Sequence, residues 1–185
     1  MGVHMIDSEL FKDHYSTDEM RKIFSDASML EKWIRIEVAL AQAQAELGII
    51  PEEAYEEIRD KGRISNFDMD GIRREMTATA HPLVAFIRQY EKLCENGAGE
   101  FVHYGATTQD ILDTAVILLL KDGYRVIASQ VDQTIEALKV LAQKHKSTPM
   151  AGRTHGQHAL PITFGFKVAV WLSEMDRNRQ RLREI

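Results

Sequence analysis

Apolar positions recur along this chain at helical spacing, interrupted by short polar stretches. Leu30, Trp33, Ile34, Val38, Ala41 and Ala45 share one face of a segment, and the pattern predicts a helix over Met29–Leu47. Ser28 with Glu31 makes a capping-box pattern at its start, and Gly48 and Pro51 end it. Pro51 suits the first turn of a short acidic helix running to Arg59, with Gly62 as its stop. Asp68–Met76 reads as a further short helix. Thr77–Pro82 (T-A-T-A-H-P) breaks the pattern. Pro82 fits the first turn of the next helix, which Leu83, Val84, Phe86, Ile87, Tyr90 and Leu93 make amphipathic. Asn96–Glu100 reads as a loop. Thr107 or Thr108 caps a helix predicted to reach about Lys146, roughly 55 Å long at 1.5 Å per residue, with Gly123 as a point of bending. A last helix starts near Ile162 and is still running at Ile185.

Long helices joined by short loops predict an all-α chain. Residues 1–106 read as an N-terminal helical domain and residues 107–185 as the start of a long up-and-down helical bundle. Helices of this length need partners along their flanks, so an oligomer is expected. The final stretch, D-R-N-R-Q-R-L-R-E-I, has no stop signal after Asn178, which leads us to expect the N-terminal part of a longer protein. Met29, Trp33, Phe86 and Trp171 are read as core. Arg177, Arg179, Arg181 and Arg183 spread round a helix and read as solvated or intersubunit charge.

Composition narrows the classes. Of 185 residues, 44% are apolar and 28% charged, which fits a folded globular chain. A net charge of −5 supplies no broad basic field for nucleic acid or an anionic membrane surface. Cys94 is the single cysteine, so no intrachain disulfide forms and a cytoplasmic location is expected. The apolar run Ala115–Leu120 is too short to span a bilayer. Nothing in the residues points to a cofactor or a metal: His155 and His158 stand three apart, but no acidic residue or cysteine lies close by in sequence.

Two polar stretches carry the candidate chemistry. Met150–Pro161 (M-A-G-R-T-H-G-Q-H-A-L-P) reads as a loop between helices. His155 in it is suited to general acid or base work, with Thr154 or Gln157 binding substrate oxygens; the plainer reading is a surface histidine with no role. Gly105–Asp110 (G-A-T-T-Q-D) opens a helix. Thr107, Thr108 and Gln109 there suit a carboxylate or phosphate, and simple N-capping accounts for them equally. His81, before Pro82, reads either as an anion-binding or paired catalytic histidine or as a hydrogen-bonded loop histidine.

Taken together, these stretches resemble the fumarase/aspartase superfamily, most closely its adenylosuccinate lyase branch. The matching residues are Tyr15–Met20 (Y-S-T-D-E-M), Ala45–Pro51 (A-E-L-G-I-I-P), Thr79–Phe86 (T-A-H-P-L-V-A-F), Val102–Ala115 (V-H-Y-G-A-T-T-Q-D-I-L-D-T-A) and Gly152–Gly165 (G-R-T-H-G-Q-H-A-L-P-I-T-F-G). The resemblance implies an all-α protomer in a homotetramer whose active sites each draw on three subunits. It implies a β-elimination that releases fumarate from a succinyl-substituted amine, acting on a small dicarboxylate or nucleotide substrate. By position, His155 resembles the general acid and His81 the second active-site histidine. Thr107 and Thr108 resemble the carboxylate binders, and Tyr15 an N-terminal nucleotide contact beside His14.

Three features depart from that branch. His14 stands where an arginine is usual, and Ala80 and Pro82 stand where arginine and aspartate usually flank the second histidine. Pro82–Val84 looks more like the 3-carboxymuconate cycloisomerase branch, which commonly has tryptophan where His155 stands. The family's serine-bearing loop, G-S-S-x-M-P-x-K-x-N-P, is absent from these residues. The 185 residues alone are therefore expected to be inactive.

Overall fold

The computed structural model describes residues 4–184. Short helices α1 (Lys12–Tyr15) and α2 (Asp18–Ile23) lead into α3 (Asp26–Glu46), α4 (Glu52–Lys61), α5 (Met69–Thr79) and α6 (Val84–Leu93). Then come α7 (Thr108–Lys144), a hairpin of β1 (Pro149–Thr154) and β2 (Gln157–Thr163), and α8 (Phe164–Arg183). The all-α expectation holds, with the hairpin as an addition. No helix among the described residues is long and apolar enough to cross a membrane.

Several local expectations need correction. Ser25, not Ser28, caps α3: its Oγ accepts the Ser28 N–H at 3.2 Å, while the Ser28 hydroxyl donates to the Lys22 carbonyl. The T-A-T-A stretch does not break α5. Thr77 and Thr79 turn their hydroxyls back onto the carbonyls of Arg73 and Glu75, so the helix continues to Thr79 and stops at Ala80, whose φ is 51°. Asn96–Glu100 is not wholly irregular, since a 3₁₀ turn covers Ala98–Phe101. At α7, Thr107 is the capping residue: its N–H donates to Asp110 Oδ2 at 3.0 Å while its carbonyl accepts the Asp110 N–H. The predicted continuation of α8 through Ile185 lies outside the described residues.

Contacts group the chain into two compact units, one ending at Asp122 and the other starting at Gly123, with the boundary inside α7. The first unit holds an aromatic core. The Phe86 ring lies 5.6 Å from Trp33, 5.3 Å from Phe67 and 5.7 Å from Tyr90, centroid to centroid. Leu30, Ile34, Ile58, Leu83 and Ile111 close round it. The Tyr90 hydroxyl is satisfied by the Ile58 carbonyl at 2.6 Å.

In the second unit Ile135 and Val168 are buried. Trp171, expected as core, is 42% exposed, and the Lys167 ammonium sits 5.3 Å from its ring centroid. The start of α8 is seated on the end of α7, where the Gly165 N–H donates to the His145 carbonyl at 2.9 Å. A Cβ on Gly165 would come 2.6 Å from the Ala142 carbonyl oxygen and from the Lys146 Cα. Backbone cannot swing aside as a side chain can. Gly165→Ala is therefore expected to destabilise this unit by about 2–3 kcal/mol, read as an earlier urea midpoint. A midpoint within error of the unsubstituted chain would contradict the seating described.

Candidate active site

In the first unit a depression of about 240 Å³ is lined by Leu83, Val84, Ile87, Arg88, Glu91, His103 and Thr108. The N-termini of α6 and α7 thus contribute to one concavity, and free backbone N–H groups at helix starts favour anions. His81 builds one of these starts. Its Nδ1 accepts the N–H groups of Leu83 at 3.3 Å and Val84 at 3.2 Å. Both contacts use the Nδ1 lone pair, so the ring carries its proton on Nε2 and can donate from there. His81 is half-buried, and these contacts make it a hydrogen-bonded histidine at the helix start.

The threonine stretch divides its duties. Thr108 lines the depression, whereas Thr107 closes the helix cap. Gln109 is exposed and donates to Asp113 one turn along at 2.5 Å. His14 and Tyr15 lie on α1, both exposed, and are not among the residues lining the depression. A larger groove of about 500 Å³, lined mainly by Met29, Leu30, Trp33, Ile72 and Met76, contains none of the candidate catalytic or substrate-binding residues.

Sequence reasoning missed one pair here. Glu37 is only 1% exposed, and it accepts twice from one residue. His103 N–H reaches its Oε2 at 3.0 Å, and His103 Nδ1 lies 2.8 Å from its Oε1. Burial pushes the Glu37 carboxyl above the usual carboxylate range, and the bonds from His103 pull against that. His103 itself is held at φ 60°, and Gln44 donates to the next carbonyl, Tyr104, at 2.7 Å. A signal was present: Glu37 falls at helical spacing from Trp33, Ile34 and Ala41, so a carboxylate interrupts an apolar stripe.

In the second unit, the stretch expected as a loop is a two-stranded antiparallel hairpin. Pro149 pairs with Thr163, Arg153 with His158 and Thr154 with Gln157, and a bulge in β2, where Ala159 and Leu160 lie opposite Gly152, separates the two halves of the ladder. A Cβ at Gly152 would meet the Leu160 carbonyl oxygen at 2.7 Å, so the bulge requires glycine. His155 and Gly156 form the two-residue turn, with φ of 48° and 73°. Positive φ at both positions defines a type I′ turn, which favours asparagine, aspartate or glycine first. A histidine there is strained by on the order of 1 kcal/mol, and such strain gathers at functional sites. His155, Thr154 and Gln157 are all exposed at the tip, and His158 lies in β2 rather than beside a second ligand.

The first unit thus presents histidine and threonine at helix starts, and the second a histidine on a positive-φ turn. A family model described as Lyase matches residues 12–185. The chain belongs to this family, the fumarase/aspartase lyases. It is 44% identical over 184 residues to adenylosuccinate lyase of Methanocaldococcus jannaschii, covering 100% of this chain and 39% of that protein. It is 43% identical over 185 residues to N-acetyl-S-(2-succino)cysteine lyase of Enterococcus italicus, covering 100% of this chain and 40% of that protein. Among solved structures, β-carboxy-cis,cis-muconate cycloisomerase of Acinetobacter calcoaceticus superposes with a TM-score of 0.91 at 35% identity, covering 96% of this chain and 42% of that one. The chain thus spans about two fifths of the length of these curated relatives.

Proposed function

We propose that these residues form the acid and anion-binding side of a lyase that releases fumarate from a succinyl-amine. The substrates are adenylosuccinate, cleaved to AMP, and SAICAR, cleaved to AICAR, in purine biosynthesis. The observation that carries the acid assignment is His155, a non-glycine residue held at φ 48° on an exposed turn between Thr154 and Gln157. In the elimination a base removes the proton beside one carboxylate, and the electron pair spreads into that carboxylate. The C–N bond then breaks as His155 protonates the departing nitrogen. Negative charge grows on the carboxylate oxygens during the first step. The His81 Nε2–H, the Thr108 hydroxyl and the start of α7 are the donors suited to it. The base is not among these 185 residues, which lack the serine-loop motif.

A second reading has its own support. The thioether lyase relative, at 43% identity, stands level with the amine lyase relative at 44%, and both names describe a succinyl group on a heteroatom. The departures at His14, Ala80 and Pro82 fall where the nucleotide branch would bind its substrate. The non-succinyl alternatives are a carboxymuconate cycloisomerase and a non-catalytic oligomer of the same scaffold. We also propose assembly as a homotetramer. Exposed Ile127, Val140, Phe166, Val170 and Trp171 in the second unit support it.

The test is an absorbance assay of the full-length protein against adenylosuccinate, N-acetyl-S-(2-succino)cysteine and 3-carboxymuconate, with its mass in solution measured alongside. Preference for adenylosuccinate by tenfold or more in kcat/KM is the expected result. Preference for the thioether or for carboxymuconate would transfer the assignment to that reading. A tetramer with none of the three activities would favour the non-catalytic one. The 185 residues by themselves are expected to release no fumarate.

A further inference from the structure

We infer that Glu37 is a positioning residue: it clamps His103 by backbone and ring, and so aims the free Nε2 at an anionic group bound beside Thr108. This rests on the lyase reading for the identity of the anion, a dicarboxylate. It rests on geometry for the clamp itself.

A buried carboxylate is costly unless it is fully partnered, and the neighbouring positions on the same face of α3 are filled by apolar residues. Both Glu37 oxygens are spent on one residue, 66 positions away in sequence. A carboxylate only accepts, so the hydrogen between Oε1 and Nδ1 belongs to His103 Nδ1. The other ring nitrogen, Nε2, has no hydrogen-bond partner among the described residues, and His103 lines the depression with Thr108.

His103, which lines the depression, and His81, which holds the backbone of its neighbours Leu83 and Val84, therefore hold opposite tautomers. His81 uses Nδ1 as an acceptor and offers a neutral Nε2–H. His103 uses Nδ1 as a donor. Once a ligand carboxylate occupies the depression, the His103 ring stands between it and the Glu37 carboxylate, placed to bridge the two with one nitrogen toward each. Arg88 and Glu91 of α6 face the same space, and Arg88 is tied to Glu75 of α5 at 2.7 Å. The Glu37 pair is what distinguishes His103 from these exposed charges.

Glu37→Gln tests this with little change of shape. The amide oxygen stays on the His103 N–H, and the amide NH₂ then faces Nδ1 and turns it into an acceptor. The full-length protein, labelled with ¹⁵N-histidine, is titrated with succinate as Glu37→Gln, His103→Gln, the double variant and the unsubstituted form. Thermal melts confirm folding. The expected result has three parts. The Nδ1 proton of His103 is present in the unsubstituted form and absent in Glu37→Gln. Succinate affinity falls about tenfold in each single variant, as for loss of one charged hydrogen bond. The double variant falls no further than the singles, because Glu37 acts through His103. An unchanged ring tautomer, or losses that add in the double variant, would overturn the inference. If Glu37→Gln does not fold, the ring spectrum of the unsubstituted form decides: a His103 Nδ1 without its proton overturns the clamp. A protein that shows the tautomer change but cleaves no succinyl substrate would remove the lyase reading and leave the clamp standing.

Discussion

His155→Asn is expected to lower the kcat of the full-length enzyme by about 10²–10⁴-fold, the usual contribution of a positioned general acid. The same substitution is expected to leave the fold intact or slightly stronger. Asparagine tolerates left-handed backbone and is favoured at the first position of a type I′ turn, so the strain held at φ 48° is relieved by on the order of 1 kcal/mol. The two effects have opposite signs, which separates this prediction from ordinary damage. A variant that loses activity because it unfolds would melt earlier, whereas this one melts at the same temperature or later. The checks are steady-state kinetics on adenylosuccinate and a thermal melt of the same preparation. A kcat within threefold of the unsubstituted enzyme would remove His155 from the acid role.

Phe86→Ala carries the largest expected cost in stability. The ring is fully buried and contacts three other aromatic rings, from α3, α6 and the segment before α5. Truncation removes its transfer free energy and leaves a cavity that stiff aromatic neighbours fill poorly. A loss of about 3–5 kcal/mol is expected in urea denaturation followed by helical ellipticity. The same ring anchors α6 two residues beyond Val84, whose N–H is held by His81. Substrate affinity is therefore expected to weaken along with stability. A loss below about 1 kcal/mol would mean that the aromatic cluster repacks and is not the core of this unit.

The helical face of α3 and the amphipathic pattern of α6 were legible because a stripe at 3.6-residue spacing is a local signal. The candidate histidines were legible from their chemistry and from the motifs around them. Other features were not legible, for physical reasons. Thr77 and Thr79 look like breakers until their hydroxyls are seen to bond one turn back. The hairpin was read as a loop because Gly152, Gly156 and Pro161 mask the alternation of its strands. Its turn also uses His-Gly in place of the commoner Asn-Gly. The Glu37–His103 clamp joins residues 66 apart, and no local pattern specifies such a pairing, although a carboxylate on a buried stripe hints that a partner exists. The sequence alone assigns Thr107 and Thr108 one shared role. The cap geometry splits them, with one residue forming the helix start and its neighbour facing the depression.

The hairpin that carries His155 places a constraint on how this chain can vary. Side chains alternate across a strand, so inserting or deleting one residue in β1 or β2 would turn the tip residues to the opposite face. Only changes in matched pairs keep the histidine facing the same way, and each pair moves it by about 7 Å. The reach of the tip is therefore quantised. Relatives and designed variants can differ freely in the helices on either side, yet the length of this ribbon is expected to be conserved wherever a histidine sits at its tip.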